Sequence, residues 1–137
     1  MPRPSGSSAH SQVRVLVADD NADLRELLAH QVGKLGAQAL LAANGQEAIE
    51  LALMHDPELV LMDLEMPVMS GLEAVAELRQ QGYEGVIVAF TAHEDGPRTQ
   101  GALASGCNAV LKKPLSATKL RSRLMEFLNA RTGGKVA

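Results

Sequence analysis

Polar side chains lie within two residues of the end of four apolar runs of this 137-residue sequence, at positions where strands would end. They are Asp19, Asp20, Asp63, Thr91 and Lys113. In open parallel α/β sheets, ligands bind outside the carboxyl ends of the strands, where the strand order reverses. Each residue alone has an ordinary interpretation, since an aspartate after a strand usually belongs to a turn or a helix cap. Chance explains the whole set poorly, so these residues are candidates for one site.

The chemistry of the set points to phosphoryl transfer. Two carboxylates about 4 Å apart repel by roughly 4 kcal/mol at an effective dielectric constant near 20, so Asp19, Asp20 and Asp63 together need a cation. Oxygen ligands that leave room for water suit Mg²⁺. With its negative charge offset by the cation, Asp63 could attack a phosphoryl group and become an aspartyl phosphate. The Lys113 ammonium and the Thr91 hydroxyl would then contact the phosphoryl oxygens.

Apolar runs that fit strands alternate with segments in which apolar residues recur at helical spacing. The five predicted strands are residues 13–18, 37–42, 58–62, 86–90 and 108–111. The clearest helix start is Ser70 with Glu73, which has the form of a capping box. A later segment is a poor helix former because it contains Gly96, Pro97 and Gly101. The alternation predicts a single α/β domain with a five-stranded parallel sheet and five helices.

The composition limits the organisation and the partners. We predict a flexible N-terminal tail or linker at residues 1–12, a folded domain at 13–129, and a C-terminal tail at 130–137. No apolar run approaches the roughly 20 residues of a membrane span, and Cys107 is the single cysteine, so we expect a cytoplasmic protein without membrane contact. A net charge of −3 and only three aromatic residues argue against direct nucleic-acid binding.

Four motifs occur in the order and spacing of a known family. Asp19-Asp20, DLEMPVMSG around Asp63, FTA around Thr91 and LKKP around Lys113 resemble the receiver domain of two-component response regulators. The resemblance covers Val13 to about residue 129. It implies a flavodoxin-like sheet in the order 2-1-3-4-5, with helices on both faces.

The resemblance also implies roles for individual residues. Asp63 is similar to the family's phosphoacceptor and, with Asp20, to its direct Mg²⁺ ligands. Asp19 would act on the metal through water. The backbone carbonyl of Glu65 would complete the metal site.

The remaining positions concern the conformational switch of the family, from which this sequence departs at two places. Thr91 matches the hydroxyl that closes on the phosphoryl group, and Lys113 matches the family's lysine, while Lys112 is expected to face solvent. Val110 stands where the family commonly has Tyr or Phe, so an aromatic rotamer cannot report activation here. We also hypothesise that the fourth helix is loosely ordered before phosphorylation. Glu65 and His93 occupy places where the family varies its dephosphorylation rate, although both could simply line the rim.

The function implied by the resemblance is a phosphoacceptor signalling domain and not an enzyme with a separate substrate. Its donor would be a histidine kinase or a histidine phosphotransfer protein, and its output a protein partner. The alternative is an aspartate-nucleophile phosphatase of small phosphomonoesters. Asp63 and Glu65 are two acids at the required spacing, but that class uses aspartate at the second position and a cap that is not evident here. Both a stand-alone regulator and the receiver of a hybrid sensor kinase remain open.

Overall fold

A five-stranded parallel sheet forms the centre of the protein. The computed structural model describes residues 13–93 and 95–131. Its strands are β1 Arg14–Ala18, β2 Gln38–Ala42, β3 Leu59–Met62, β4 Val86–Thr91 and β5 Ala109–Lys112. They pair in the order β2-β1-β3-β4-β5, with every neighbouring pair parallel. The predicted fold class and strand order are confirmed.

Helices connect the strands and cover both faces of the sheet. In the described ranges they are α1 Ala22–Lys34, α2 Gly45–His55, α3 Gly71–Gln80, α4 Gly96–Ser105 and α5 Ala117–Arg131. The last helix runs just beyond the predicted boundary at residue 129. None of the described helices has the length and apolar character that crossing a membrane would require.

Side-chain caps make the helices begin close to the strand ends. The Asn21 carboxamide accepts a hydrogen bond of 3.0 Å from the backbone N–H of Leu24. Ser70 and Glu73 form the predicted capping box through bonds of 3.2 and 3.1 Å. A cap of this kind stabilises a helix by about 1 kcal/mol. Local sequence therefore determines where the loops at the carboxyl edge of the sheet end.

The fourth helix forms in spite of its poor composition. Pro97 lies in the first turn, where its missing N–H would have no helical partner in any case. The Asp95 carboxylate caps the helix by accepting a bond of 2.8 Å from the backbone N–H of Arg98. Ala102 is the residue of α4 that is buried. The local signals suffice to start the helix, while its packing against the core stays slight.

Two apolar clusters lie on opposite faces of the sheet. One contains Leu16 and Met62 of the strands and packs under α2, α3 and α4. The other contains Val15 and Leu61 and packs under α1 and α5. Successive strand residues therefore point into different clusters, which explains why the strands are apolar throughout. Cys107 is buried in the first cluster, as expected of a small core residue.

A single arginine holds together the turns at the amino edge of the sheet. The Arg79 guanidinium, from the end of α3, donates to the carbonyl oxygens of Tyr83 and Gly85 at 2.8 Å each. It also donates to the Gly106 carbonyl and to the Asn108 carboxamide at 3.0 Å each. The turns before β4 and β5 are thereby tied to α3 on the side opposite the predicted site.

Candidate functional site

The structure brings the three predicted carboxylates together. Asp19 follows β1 and Asp63 follows β3, and the two strands are adjacent with Ala18 paired to Met62. Oxygen atoms of Asp19, Asp20 and Asp63 all lie within 4.8 Å of one another. Asp19 and Asp63 are 1% and 7% exposed, whereas Asp20 is exposed. The cluster is thus buried on the side of the sheet and open to solvent through Asp20.

Backbone hydrogen bonds fix the two buried acids. The N–H of Asp63 donates to the Ala18 carbonyl at 2.9 Å, so the hydrogen bonds between the two strands continue to Asp63. The side chain of Asp63 accepts a bond of 3.1 Å from the backbone N–H of Glu65. Asp19 accepts one of 2.9 Å from the N–H of Asn21. Both carboxylates are therefore oriented by the loops that leave their strands.

Lys113 supplies positive charge to the cluster from the loop after β5. Its Nζ lies 2.9 Å from Asp19 Oδ2 and 3.7 Å from Asp63 Oδ2. The same ammonium lies 5.5 Å from the centre of the Phe90 ring, within the range of a cation–π contact. The peptide bond from Lys113 to the next residue, a proline, is cis. Lys112 is exposed, as predicted.

The Thr91 hydroxyl lies at the end of the neighbouring strand β4. Thr91 is fully buried, and its Oγ1 accepts a hydrogen bond of 3.1 Å from the backbone N–H of His93. A hydroxyl that accepts one bond can still donate its own proton. The backbone N–H of Lys113 donates to the Thr91 carbonyl at 2.8 Å. The residues that carry the hydroxyl and the ammonium are therefore held next to each other by their backbones.

Burial makes the negative charge of Asp63 unfavourable. It raises the pKa of Asp63 from an ordinary value of 3.8 to about 6, and the charges of Asp19 and Asp20 act in the same direction. The hydrogen bond from Glu65 and the charge of Lys113 lower this pKa but do not outweigh burial. A bound cation would favour the ionised form, which is the form that can act as a nucleophile.

The donor set fits a hard divalent cation. Three carboxylates within reach of one another offer oxygen ligands of the type that Mg²⁺ prefers, and the exposed Asp20 leaves access for water. Burial, together with the neighbouring charges of Asp19 and Asp20, raises the pKa of Asp63, so a cation bound here would favour its ionised form. Glu65 lies beside Asp63 through its N–H bond, and ligation by its carbonyl remains a prediction.

Sequence reasoning missed two arginines at this site. Arg25 of α1 donates to the backbone carbonyl of Asp19 at 2.7 Å. Arg98 of α4 lies 2.6 Å from a carboxylate oxygen of Glu65, and the His93 ring lies 3.6 Å from the other oxygen. A residue pair 33 positions apart, such as Arg98 and Glu65, has no local pattern that would reveal it.

The start of α3 packs directly against the segment that carries Asp63. The N–H of Gly71 donates to the Leu64 carbonyl at 3.0 Å. A Cβ atom at Gly71 would lie 2.1 Å from the backbone oxygen of Asp63 and 2.7 Å from Leu64 Cα. Only glycine permits this approach of helix and loop, so the position of Asp63 depends on a contact between two backbones.

The fold and the site define a flavodoxin-like α/β domain with an acidic site at the carboxyl edge of its central strands. The family model of the response regulator receiver domain matches residues 15–125. The chain therefore belongs to the response regulator receiver domain family, the receiver domain of two-component signalling.

Relatives support the same assignment. Response regulator MprA of Mycolicibacterium vanbaalenii is 32% identical over 120 residues, which are 88% of this chain and 52% of that protein. Hybrid signal transduction histidine kinase G of Dictyostelium discoideum is 36% identical over 117 residues, covering 80% of this chain and 3% of the kinase. The solved chemotaxis protein CheY4 of Vibrio cholerae has a TM-score of 0.80 and 28% identity, covering 85% of this chain and 98% of that one. The chain thus spans about half the length of the curated response regulator it matches.

Proposed function

We propose that this chain is the phosphoacceptor of a phosphorelay and that Asp63 receives the phosphoryl group. The donor would be a phosphohistidine on a histidine kinase or a histidine phosphotransfer protein. One observation carries the proposal: a buried carboxylate with a pKa of about 6 lies beside a lysine and two further acids. Perturbed carboxylates with a specific charged partner are typical of functional sites.

The residues around Asp63 suit each part of the transfer. A carboxylate oxygen of Asp63 would form the new bond to phosphorus while the bond from phosphorus to the donor imidazole breaks. The imidazole nitrogen would keep the electron pair and take a proton. The Lys113 ammonium, 3.7 Å from Asp63 Oδ2, would stabilise negative charge on the phosphoryl oxygens. The Thr91 hydroxyl on the adjacent strand would donate to another of these oxygens.

A magnesium ion would be held by Asp19, Asp20 and Asp63, with the backbone carbonyl of Glu65 as a further ligand. When bound, it supplies positive charge that keeps Asp63 ionised and neutralises the transferred group. Asp19 is the member of the set that Lys113 contacts most closely, at 2.9 Å. The lysine and the acids therefore hold one another in place before any phosphate arrives.

Phosphorylation would act on partners through the face that α4, β5 and α5 form. Thr91 ends β4 shortly before α4 begins, so an inward movement of its hydroxyl would reach that helix first. Val110 of β5 is half-buried, and the readout would depend on helix position instead of an aromatic side chain. The output is therefore a change in affinity for a protein partner, with no separate substrate turned over.

Intact-protein mass spectrometry after incubation with acetyl phosphate and Mg²⁺ tests the proposal. One phosphoryl group should appear on the wild type and none on Asp63→Asn or in the presence of EDTA. Asp56→Asn is a matched control, because Asp56 is exposed at the amino edge and has a left-handed backbone that asparagine tolerates. Labelling of Asp63→Asn would refute the assignment. Sustained release of phosphate from p-nitrophenyl phosphate would favour the phosphatase alternative.

A further inference from the structure

Glu65 places a fourth acidic side chain next to the acceptor. Its backbone N–H donates to Asp63 Oδ1 at 3.1 Å, so its own side chain starts beside the carboxylate that must be phosphorylated. The Glu65 side chain is 44% exposed and lies on the open side of the site. A phosphoryl donor is an anion, and an uncompensated carboxylate on its approach path would repel it.

Arg98 compensates this carboxylate. Its terminal nitrogen lies 2.6 Å from Glu65 Oε2, which is the distance of a strong charge-assisted hydrogen bond. The arginine is oriented by its own helix start, because Asp95 accepts from its backbone N–H at 2.8 Å and lies 3.5 Å from its Nε. Lys113 by contrast is directed at Asp19 and Asp63. The two cations thus serve different acids of the site.

We propose that Arg98 is a positioning residue for phosphorylation: it holds the Glu65 carboxylate towards α4 and neutralises it, so that an anionic donor can reach Asp63. This inference rests on the proposed function. With acetyl phosphate, the bond from phosphorus to the acetate oxygen breaks as the bond to Asp63 forms, and acetate leaves with the electron pair. Arg98 acts only through the charge and position of Glu65.

Removing the arginine should slow phosphorylation to a limited and salt-dependent extent. Arg98→Ala removes the closest positive charge from Glu65, which keeps the His93 ring at 3.6 Å as a neighbour, and we expect the initial rate to fall roughly two- to fivefold at low ionic strength. The difference should largely vanish near 1 M salt, where the screening length is about 3 Å. Arg98→Lys keeps the charge and should restore most of the rate. A purely structural role for the arginine would not respond to salt in this way.

A double variant separates charge compensation from mechanical tethering. Arg98→Ala with Glu65→Gln removes both side-chain charges and leaves the backbone carbonyl of residue 65 in place, so the rate should rise from that of Arg98→Ala towards that of the wild type. If the ion pair served as a tether between α4 and the loop, the double variant would stay as slow as Arg98→Ala. Lys34→Ala is the matched control, because it removes one exposed positive charge at the opposite edge of the sheet.

The rates are measured by intact-protein mass spectrometry at saturating Mg²⁺, with acetyl phosphate as donor. Failure of the wild type to acquire a phosphoryl group would remove the proposed function itself. If the wild type is labelled, an Arg98→Ala rate equal to it would overturn the role of Arg98. Equal slowing of Arg98→Ala and Lys34→Ala would overturn it too, because the effect would then be one of net charge. Slow labelling of the double variant has the same consequence.

Discussion

Replacing Asp63 by asparagine should stabilise the metal-free protein at alkaline pH. The buried carboxylate has a pKa of about 6 in the folded protein, against an ordinary value of 3.8. In the range between these values the folded state therefore binds more protons than the unfolded state, and its stability falls as the pH rises. The unfavourable effect is complete above about pH 6 and absent well below 3.8. Asparagine does not titrate and avoids the effect.

The size of the effect follows from the shift. One pKa unit corresponds to about 1.36 kcal/mol, so the shift of Asp63 corresponds to about 3 kcal/mol at pH 8. At pH 5 roughly half of the gap remains, because Asp63 is then mostly protonated in the folded state and still mostly ionised in the unfolded state. The value is an upper limit, since the asparagine carboxamide also has to be desolvated. Lys113 keeps its contact of 2.9 Å with Asp19 in the variant, so no buried cation loses its partner.

Urea denaturation of both proteins at pH 8 and pH 5, in EDTA, measures the gap between their free energies of unfolding. We expect Asp63→Asn to be more stable at pH 8 and its advantage to shrink towards pH 5. Stabilities that differ equally at both pH values, or an advantage that grows with acidity, would refute the claim that burial of Asp63 is unfavourable. Since the comparison is between two proteins, the titration of other groups largely cancels.

Two further substitutions test the contacts that hold the site. Lys113→Ala leaves the buried carboxylate of Asp19 without its closest cation and should lower the free energy of unfolding in urea by roughly 2–3 kcal/mol. The control Lys112→Ala changes an exposed residue and should alter this free energy by less than about 0.5 kcal/mol. Equal effects of the two substitutions would contradict the contact between Lys113 and Asp19. Gly71→Ala forces a backbone apart and should lower the melting temperature, at a cost of roughly 1–3 kcal/mol. Gly33→Ala in α1 meets no atom within 4 Å and should raise it, so a tolerated Gly71→Ala would argue against the tight approach.

The sequence was sufficient where local patterns carry the structure. Asp63 could be chosen as a candidate site residue because an acid ends a wholly apolar run. The start of α3 could be predicted because Ser70 and Glu73 form a capping box whose partners are three residues apart. For the fourth helix, the composition alone was a weaker guide than the residues at its start. Its composition is poor, but Asp95 followed closely by Pro97 is a helix-start signal in its own right.

Contacts between distant segments could not be predicted in the same way. Lys113 and Asp19 are 94 residues apart and meet only because β5 and β1 end at the same edge of one sheet. The sequence indicated that a lysine and acidic residues would meet at this edge. It did not indicate that Lys113 lies closer to Asp19 than to Asp63. The ion pair of Glu65 and Arg98 had no sequence signal, because its members are 33 positions apart and charged residues at such a separation follow no local pattern.

The arginine at the amino edge anchors the carboxyl end of α4. Arg79 donates to the carbonyl of Gly106, the residue that caps the carboxyl end of α4, and to the carbonyls of Tyr83 and Gly85 in the turn before β4. The opposite end of the helix contacts the loop after β3 through the exposed pair of Arg98 and Glu65. If α4 is displaced, we therefore expect it to rotate about its carboxyl end at Gly106. The largest excursion then falls on its first turn, where a bound partner would sense it most strongly.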